Sequence, residues 1–376
     1  MTPKENIAQL RQMMQTEGWD AIVVSGTDPH SSEYLPQRWQ ARKFVSGFTG
    51  SYGTVVVTAS HAGLWTDTRY FIQATAQLEG TGIELHKLRV PEAVDYPEWL
   101  AEVLGENSTV CVDGLCMPLA TVEHMQELFA PKGIKVVSRP DYIDALWSDR
   151  PALPDAPVFE LGIEYTGRSR ADKLEWLRGC IAQRGCGSIL ISSLDEVAWM
   201  LNLRSCDIAH TPVLISYLWV SAGRAVLYAS LDKFDDSLRA ALAADGMELA
   251  PYAEVMNDVA TWPCDAPIYI DGAMLNYALY EKVTDHYGAK VVNATSPVKL
   301  EKAIKNDTEI AGFHCAYHKD GVAQTRFFYW LEKAMELKPE SVDCAEYLKV
   351  LCFRLRNEEG IMEKYNKYHE LYMQMR

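Results

Sequence analysis

The sequence lacks any apolar run long enough for a membrane. Its longest apolar stretches, such as 212–223, fall well short of the ~20 residues that a spanning helix needs. It has no dense Lys/Arg stripe, and its net charge is −15, so nucleic acid is not an expected partner. Residues 1–18 are polar with spaced apolar positions and contain no apolar h-region, so no secretory signal is expected. No C-x-x-C occurs among the nine cysteines, whose odd number and scatter predict reduced thiols, a cytoplasmic location and no zinc knuckle. There is no G-x-S-x-G elbow, and no pair of carboxylates stands out as an acid/base couple. What the chain does have is 376 residues, 48% of them hydrophobic and 23% charged, enough for two or three domains with sizeable cores.

The first element is written in its cap. Thr2, Pro3 and Glu5 spell a capping box with proline at the first helical position; Ile7, Leu10 and Met14 share one face, and Gly18 ends the helix. Strands are predicted at 21–24, 54–58 and 63–66, a helix at 70–77, and further alternation at 91–104, 109–113, 120–128 and 134–137. This order argues for layered α/β structure. Three prolines within 149–157 predict a stiff, extended linker. The pattern then restarts with a helix at 170–184, a strand at 188–192, a short helix at 195–202 and strands at 213–220 and 225–228. Val57-Thr-Ala-Ser-His-Ala-Gly-Leu-Trp65 resembles Val220-Ser-Ala-Gly-Arg-Ala-Val-Leu-Tyr228, and 19–25 resembles 186–192. A duplicated domain explains this economically; chance similarity between apolar strands is the alternative.

Strand signals stop near Ser296-Pro297. A long helix is predicted from Asn306 or Asp307 to Glu336, with Ile310, Phe313 and Tyr317 on one face. A second starts at Ser341 and carries Ala345, Leu348, Cys352 and Leu355, and a third apolar stripe runs through Ile361, Tyr365, Tyr368, Tyr372 and Met375. These stripes must bury against something, so the last fifth of the sequence reads as an incomplete layer.

Four motifs have competing readings. Gly47-Phe48-Thr49-Gly50-Ser51-Tyr52-Gly53 precedes a strand, whereas a phosphate cradle precedes a helix, which favours a turn with close backbone approach over nucleotide binding. His314 and His318 have metal-ligand spacing, yet Cys315 stands where a zincin needs Glu, which favours a solvated helix face. Asp28-Pro29-His30-Ser31-Ser32 follows a strand, where a site can sit, but Asp28-Pro29 makes a turn, which favours a structural turn over a site. Arg69 can hold a ligand carboxylate in a fork or pair internally with Asp67.

Several of these blocks together resemble a family. Ser25–Tyr34, Phe44–Ser51 and Gly63–Phe71 are similar to the N-terminal domain of the long, cytosolic type of Xaa-Pro aminopeptidase (aminopeptidase P). Leu194–Arg204 is similar to its second domain. Ala303–Glu309 and His318–Ala323 are similar to the helical entry of its catalytic domain. The resemblance implies two consecutive creatinase-like α/β domains with mixed sheets at 1–150 and 158–297, then the helical start of a pita-bread α+β metallopeptidase domain at 298–376. It implies a hydrolase that removes the N-terminal residue from peptides with proline second. The intact family enzyme uses two divalent metals, usually manganese, held by two Asp, one His and two Glu, and often works as a homodimer.

The sequence departs from that pattern before any of those metal ligands. The expectation is therefore a chain truncated ahead of its metal site, binding no metal and inactive alone. No catalytic residue carries over; Arg69 does, as the N-terminal-domain arginine that reaches substrate. The alternative is a non-catalytic module of duplicated domains that binds peptides or a partner subunit.

Overall fold

A computed structural model describes residues 1–337, with the side chains of the last helix described to residue 333. The expected helix from Ser341 and the stripe from Ile361 to Met375 lie outside the described residues. Two compact units are present: 1–162 with 168–304, and 163–167 with 305 onward.

In chain order the strands are β1 (Ala21–Val24), β2 (Thr54–Thr58), β3 (Ala62–Thr66), β4 (Glu84–Lys87), β5 (Thr109–Val112), β6 (Lys135–Ser138), β7 (Phe159–Glu160), β8 (Ser188–Ile191), β9 (Leu203–Arg204), β10 (Ser216–Ser221), β11 (Ala225–Ala229), β12 (Met247–Pro251), β13 (Ile268–Ile270) and β14 (Val291–Asn293). They form two six-stranded mixed sheets, β4-β3-β2-β1-β5-β6 and β12-β11-β10-β8-β13-β14, with β7 and β9 as a separate ribbon. The two sheets share one register. Val57 pairs with Ala62 in the first hairpin and Val220 with Ala225 in the second. Ile22 lies between Val57 and Cys111, as Ile189 lies between Val220 and Tyr269. The repeats read from sequence are therefore the same hairpin and the same central strand in two copies of one topology.

Both faces of each sheet are buried, which is why the central strands read as unbroken apolar runs. In β1, Ile22 and Val24 join a core with Ile7, Leu10 and Met14 of the first helix, while Ala21 and Val23 face Leu100, Met125 and Phe129 on the other side. Each such Val, Leu or Ile contributes about 1.5–3 kcal/mol when buried. The first helix, Pro3–Glu17, has its capping box in place: Thr2 N–H donates to Glu5 Oε2 at 2.7 Å, and Gly18 closes it in the left-handed region.

The expected helix at 91–104 begins later, at Tyr96, because Asp95 supplies its cap. Residues 151–158 adopt no regular structure, as the prolines dictate, but they are anchored: Arg38 Nη1 donates to Pro151 O at 3.0 Å.

The two halves of the first unit meet along a pseudo-twofold seam. Pro118 bridges Asn276; Leu119 N–H donates to Leu275 O and Tyr277 N–H donates to Met117 O. Asp113-Gly114 after β5 and Asp271-Gly272 after β13 open the two equivalent loops.

In the second unit the helix Asp307–Leu337 starts on a reciprocal cap. Asn306 Oδ1 accepts Glu309 N–H at 2.9 Å, and Glu309 Oε2 accepts Asn306 N–H at 3.0 Å. Asn306 Nδ2 also donates to Thr166 O. Gly167 there has φ +65°, and a Cβ would lie 2.5 Å from Asn306 Oδ1, so no larger residue fits. Ile310, Phe313 and Tyr317 share the expected face, and all three are exposed.

Candidate functional site

The sequence placed Arg69 at the end of a strand, and the structure puts it at the carboxyl end of β3, where open α/β sheets collect their ligands. Asp67 follows β3 with extended backbone and caps the short turn Thr68–Tyr70: its Oδ1 accepts Arg69 N–H at 3.1 Å. The same carboxylate receives the guanidinium in a fork, Nε to Oδ1 at 3.0 Å and Nη2 to Oδ2 at 2.8 Å. Of the two readings left open, internal pairing is therefore present, but it uses only one edge of the guanidinium. Among the described residues, Nη1 has no hydrogen-bond partner. The Asp67 side chain is 1% exposed and that of Arg69 58%, so a buried anion orients a cation that still faces solvent. The fork holds the Asp67 carboxyl below its ordinary range.

Aromatic rings complete the corner. The Arg69 guanidinium lies 5.2 Å from the Tyr70 ring centre and 6.0 Å from that of Tyr52; Arg89 approaches the Tyr52 ring at 5.8 Å and Asp67 Oδ2 at 3.9 Å. The Ser51 hydroxyl hydrogen-bonds the Tyr70 hydroxyl at 2.6 Å. This arrangement can grip a carbonyl or carboxylate; it contains no group placed to attack one.

The glycine-rich loop behind this corner settles its own reading. Its carbonyls, not its amides, turn inward: Gly53 O accepts from Arg42 Nη1 at 2.9 Å and Gly50 O from Arg42 Nη2. A loop that wraps a buried cation in carbonyl oxygens repels phosphate. Burial pushes Arg42 down to about 10. Close approach sets the glycines: at Gly53, φ +148°, a Cβ would sit 2.8 Å from Trp65 O. Gly53→Ala is expected to destabilise the protein by at least about 1 kcal/mol, read as a lowered Tm; an unchanged Tm would mean that the loop relaxes freely. Arg42 was not singled out from sequence, since nothing near it signals that a guanidinium in a short helix is buried.

Asp28-Pro29-His30 is a structural turn. Asp28 Oδ1 accepts the N–H of His30 and of Ser32. His30 is buried, with Nδ1 2.8 Å from Ser192 O and Nε2 2.9 Å from the Tyr252 hydroxyl, so it clasps the two halves of the first unit. Burial lowers its pKa and keeps it neutral. His314 and His318 both point to solvent, in agreement with the solvated-face reading.

A cleft of about 620 Å³ lies between helices Leu119–Phe129 and Tyr277–Tyr287, lined by Glu123, Gln126, Tyr277, Glu281 and Asp285. Among the described residues, one group of three metal-ligand side chains converges, His61, Glu84 and His86, which the sequence reading did not single out. No described helix is long and apolar enough to cross a membrane.

Comparison with known proteins supplies the relationships. Two family models, both described as Creatinase/Prolidase N-terminal domain, match residues 6–146 and 149–309. "Aminopeptidase P1" from Arabidopsis thaliana is 33% identical over 361 residues, covering 88% of this chain and 55% of that protein. A "Probable Xaa-Pro aminopeptidase P" from Sordaria macrospora is 34% identical over 372 residues, covering 95% and 59%. The crystal structure of X-prolyl aminopeptidase from Caenorhabditis elegans, described as a cytosolic enzyme with a di-nuclear active site, matches with TM-score 0.86 at 30% identity, covering 93% of this chain and 60% of that one. The chain thus spans little more than half the length of the curated relatives it matches.

Proposed function

The chain belongs to the Creatinase/Prolidase N-terminal domain family, carrying two copies of that domain, and from that premise we propose that it is the substrate-side, N-terminal portion of an Xaa-Pro aminopeptidase, a metal-dependent hydrolase of peptides with proline in second place. The observation that carries this is the match of almost the whole chain to one X-prolyl aminopeptidase fold. In this reading the chain divides at 1–150, 158–297 and 298–376, the last part beginning a pita-bread domain, and the enzyme is cytoplasmic. The exposed face of Ile310, Phe313 and Tyr317 is the surface on which the rest of that domain packs.

A pair of manganese ions would need carboxylates and imidazoles in a set of about five, and the described residues present no such set. This chain's own contribution is to hold the peptide. Arg69, aimed by Asp67 and flanked by Tyr52 and Tyr70, offers Nη1 to a carbonyl or carboxylate oxygen of the substrate and fixes its register.

Two measurements test the reading. The purified chain with manganese and an Xaa-Pro tripeptide is expected to release no free amino acid; turnover above buffer would overturn the inactivity. The tripeptide at millimolar concentration is expected to shift the Arg69 side-chain signal saturably in NMR spectra, and Arg69→Ala to weaken binding about 10–100-fold, the worth of one charge-assisted hydrogen bond. Equal binding by both proteins would remove Arg69 from substrate contact.

A further inference from the structure

We propose that His61, Glu84 and His86 form a binding site for one zinc-class divalent ion at the edge of the first sheet. The strands bring the groups together. β3 runs parallel to β4, pairing Gly63 with Glu84 and Trp65 with His86. Since alternate residues of a strand share a face, Glu84 and His86 point the same way as Gly63 and Trp65. His61 stands in the turn that enters β3, its backbone N–H held by Thr58 Oγ1 at 3.0 Å.

The geometry is close to what an ion requires. His61 Nε2 and His86 Nε2 are 3.0 Å apart, and Glu84 Oε1 is 3.9 Å from His61 Nδ1. One ligand atom from each of the three residues lies within 4.8 Å of the others. Two imidazole nitrogens on one tetrahedral zinc, at about 2.0–2.1 Å each, stand about 3.3 Å apart. At that distance one Nε2–H can donate to the other Nε2; metal binding requires both rings in the tautomer protonated at Nδ1, so that both Nε2 lone pairs face the ion. Two imidazoles and a carboxylate suit zinc far better than magnesium or calcium, which take oxygen.

The surroundings pre-set the rings. His86 stacks on Trp65, centroids 3.8 Å apart and planes 12° apart, and both imidazoles border Trp99. Gly63 makes the room: a Cβ there would lie 2.7 Å from His86 Cδ2 and 2.8 Å from His61 Nε2, so any side chain would displace both rings. An apolar wall behind the ligands and a fixed ring orientation both favour binding. The ion would tie the β2–β3 turn to β4, an edge strand whose own residues bury little.

The test is zinc titration of the full chain by calorimetry, in a background carrying His314→Ala and His318→Ala so that the i, i+4 pair on the long helix contributes nothing. One ion per chain is expected, unaffected by excess magnesium. His61→Gln and His86→Gln, which retain a hydrogen-bonding side chain and whose folding circular dichroism verifies, are each expected to weaken binding at least about 10-fold, since even indirect contacts to a metal carry that much. His124→Ala, which alters a surface histidine paired with Glu98, serves as the control and should bind as the background does. No one-to-one binding, or binding that survives either glutamine substitution, overturns the proposal.

Discussion

Asp113→Asn is expected to stabilise the protein at pH 8 by about 2–4 kcal/mol and to leave its stability nearly unchanged at pH 4. Asp113 follows β5 and is buried. Burial, reinforced by the nearby charge of Asp141, raises its pKa to about 7 from an ordinary 3.8. The folded protein therefore keeps a proton on Asp113 up to about pH 7, while the unfolded chain gives it up near 4. Between those limits the folded state binds more protons, so stability falls as pH rises, and above about 7 the loss is complete. Asparagine carries no charge to desolvate, and its amide oxygen can accept Leu115 N–H as Oδ1 does now at 3.0 Å. Arg150, 2.6 Å from both Asp141 and Asp144, keeps those partners. Glu196, also raised to about 7 by burial and held by the Ser296 hydroxyl at 2.5 Å, contributes in the same direction, so Glu196→Gln is expected to act similarly but less strongly. Urea unfolding of wild type and Asp113→Asn at pH 4, 6 and 8 reads the effect. A variant no more stable than wild type at pH 8 would mean that Asp113 is solvated in the folded state.

Both carboxyls owe their raised pKa first to burial, which the fold and not the neighbouring sequence sets, and this marks the limit of what the sequence discloses. Local features were legible. The capping box at Thr2, the stop at Gly18 and the hairpins at Val57–Trp65 and Val220–Tyr228 follow from residues within a few positions of each other, and the repeated hairpin revealed the duplication before any sheet was seen. Arg69 and Asp67 were legible as a possible pair because two positions separate them. β4 was not legible. Its Glu-Leu-His-Lys has no apolar alternation, since an edge strand with half-exposed residues needs none, and with it went two members of the His61–Glu84–His86 cluster. The clasp of His30 on Ser192 and Tyr252 spans 162 and 222 positions, beyond any periodicity argument. A motif read as a structural turn rather than a site became a joint between two copies of one domain.

Asn276 concentrates more of that joint than any single periodicity could reveal, and Asn276→Ala is expected to cost about 2–4 kcal/mol. Its side chain is buried and fully used. Oδ1 caps the helix Tyr277–Tyr287 by accepting Leu279 N–H at 3.0 Å, while Nδ2 donates to Pro29 O at 3.0 Å and to the Tyr217 hydroxyl at 2.9 Å. Alanine removes a cap worth about 1 kcal/mol and strands the Pro29 carbonyl, worth about 1–3 kcal/mol when left unpaired in a dry seam, while the Tyr217 hydroxyl keeps Tyr252 as a partner. Asn276→Asp separates the two roles. It keeps the cap acceptor but loses the donor, and its charge then faces the Pro29 carbonyl. It is expected to destabilise at least as much as alanine at pH 8, and to recover as pH falls and the new carboxyl takes up a proton that it can donate. Thermal melts of both variants across pH decide the matter. If alanine costs only the cap and aspartate nothing, the contact to Pro29 contributes no stability, and the two α/β halves are held together by the His30 clasp, the backbone hydrogen bonds of Leu119 and Tyr277, and the apolar seam around Trp39, Cys116 and Ile215.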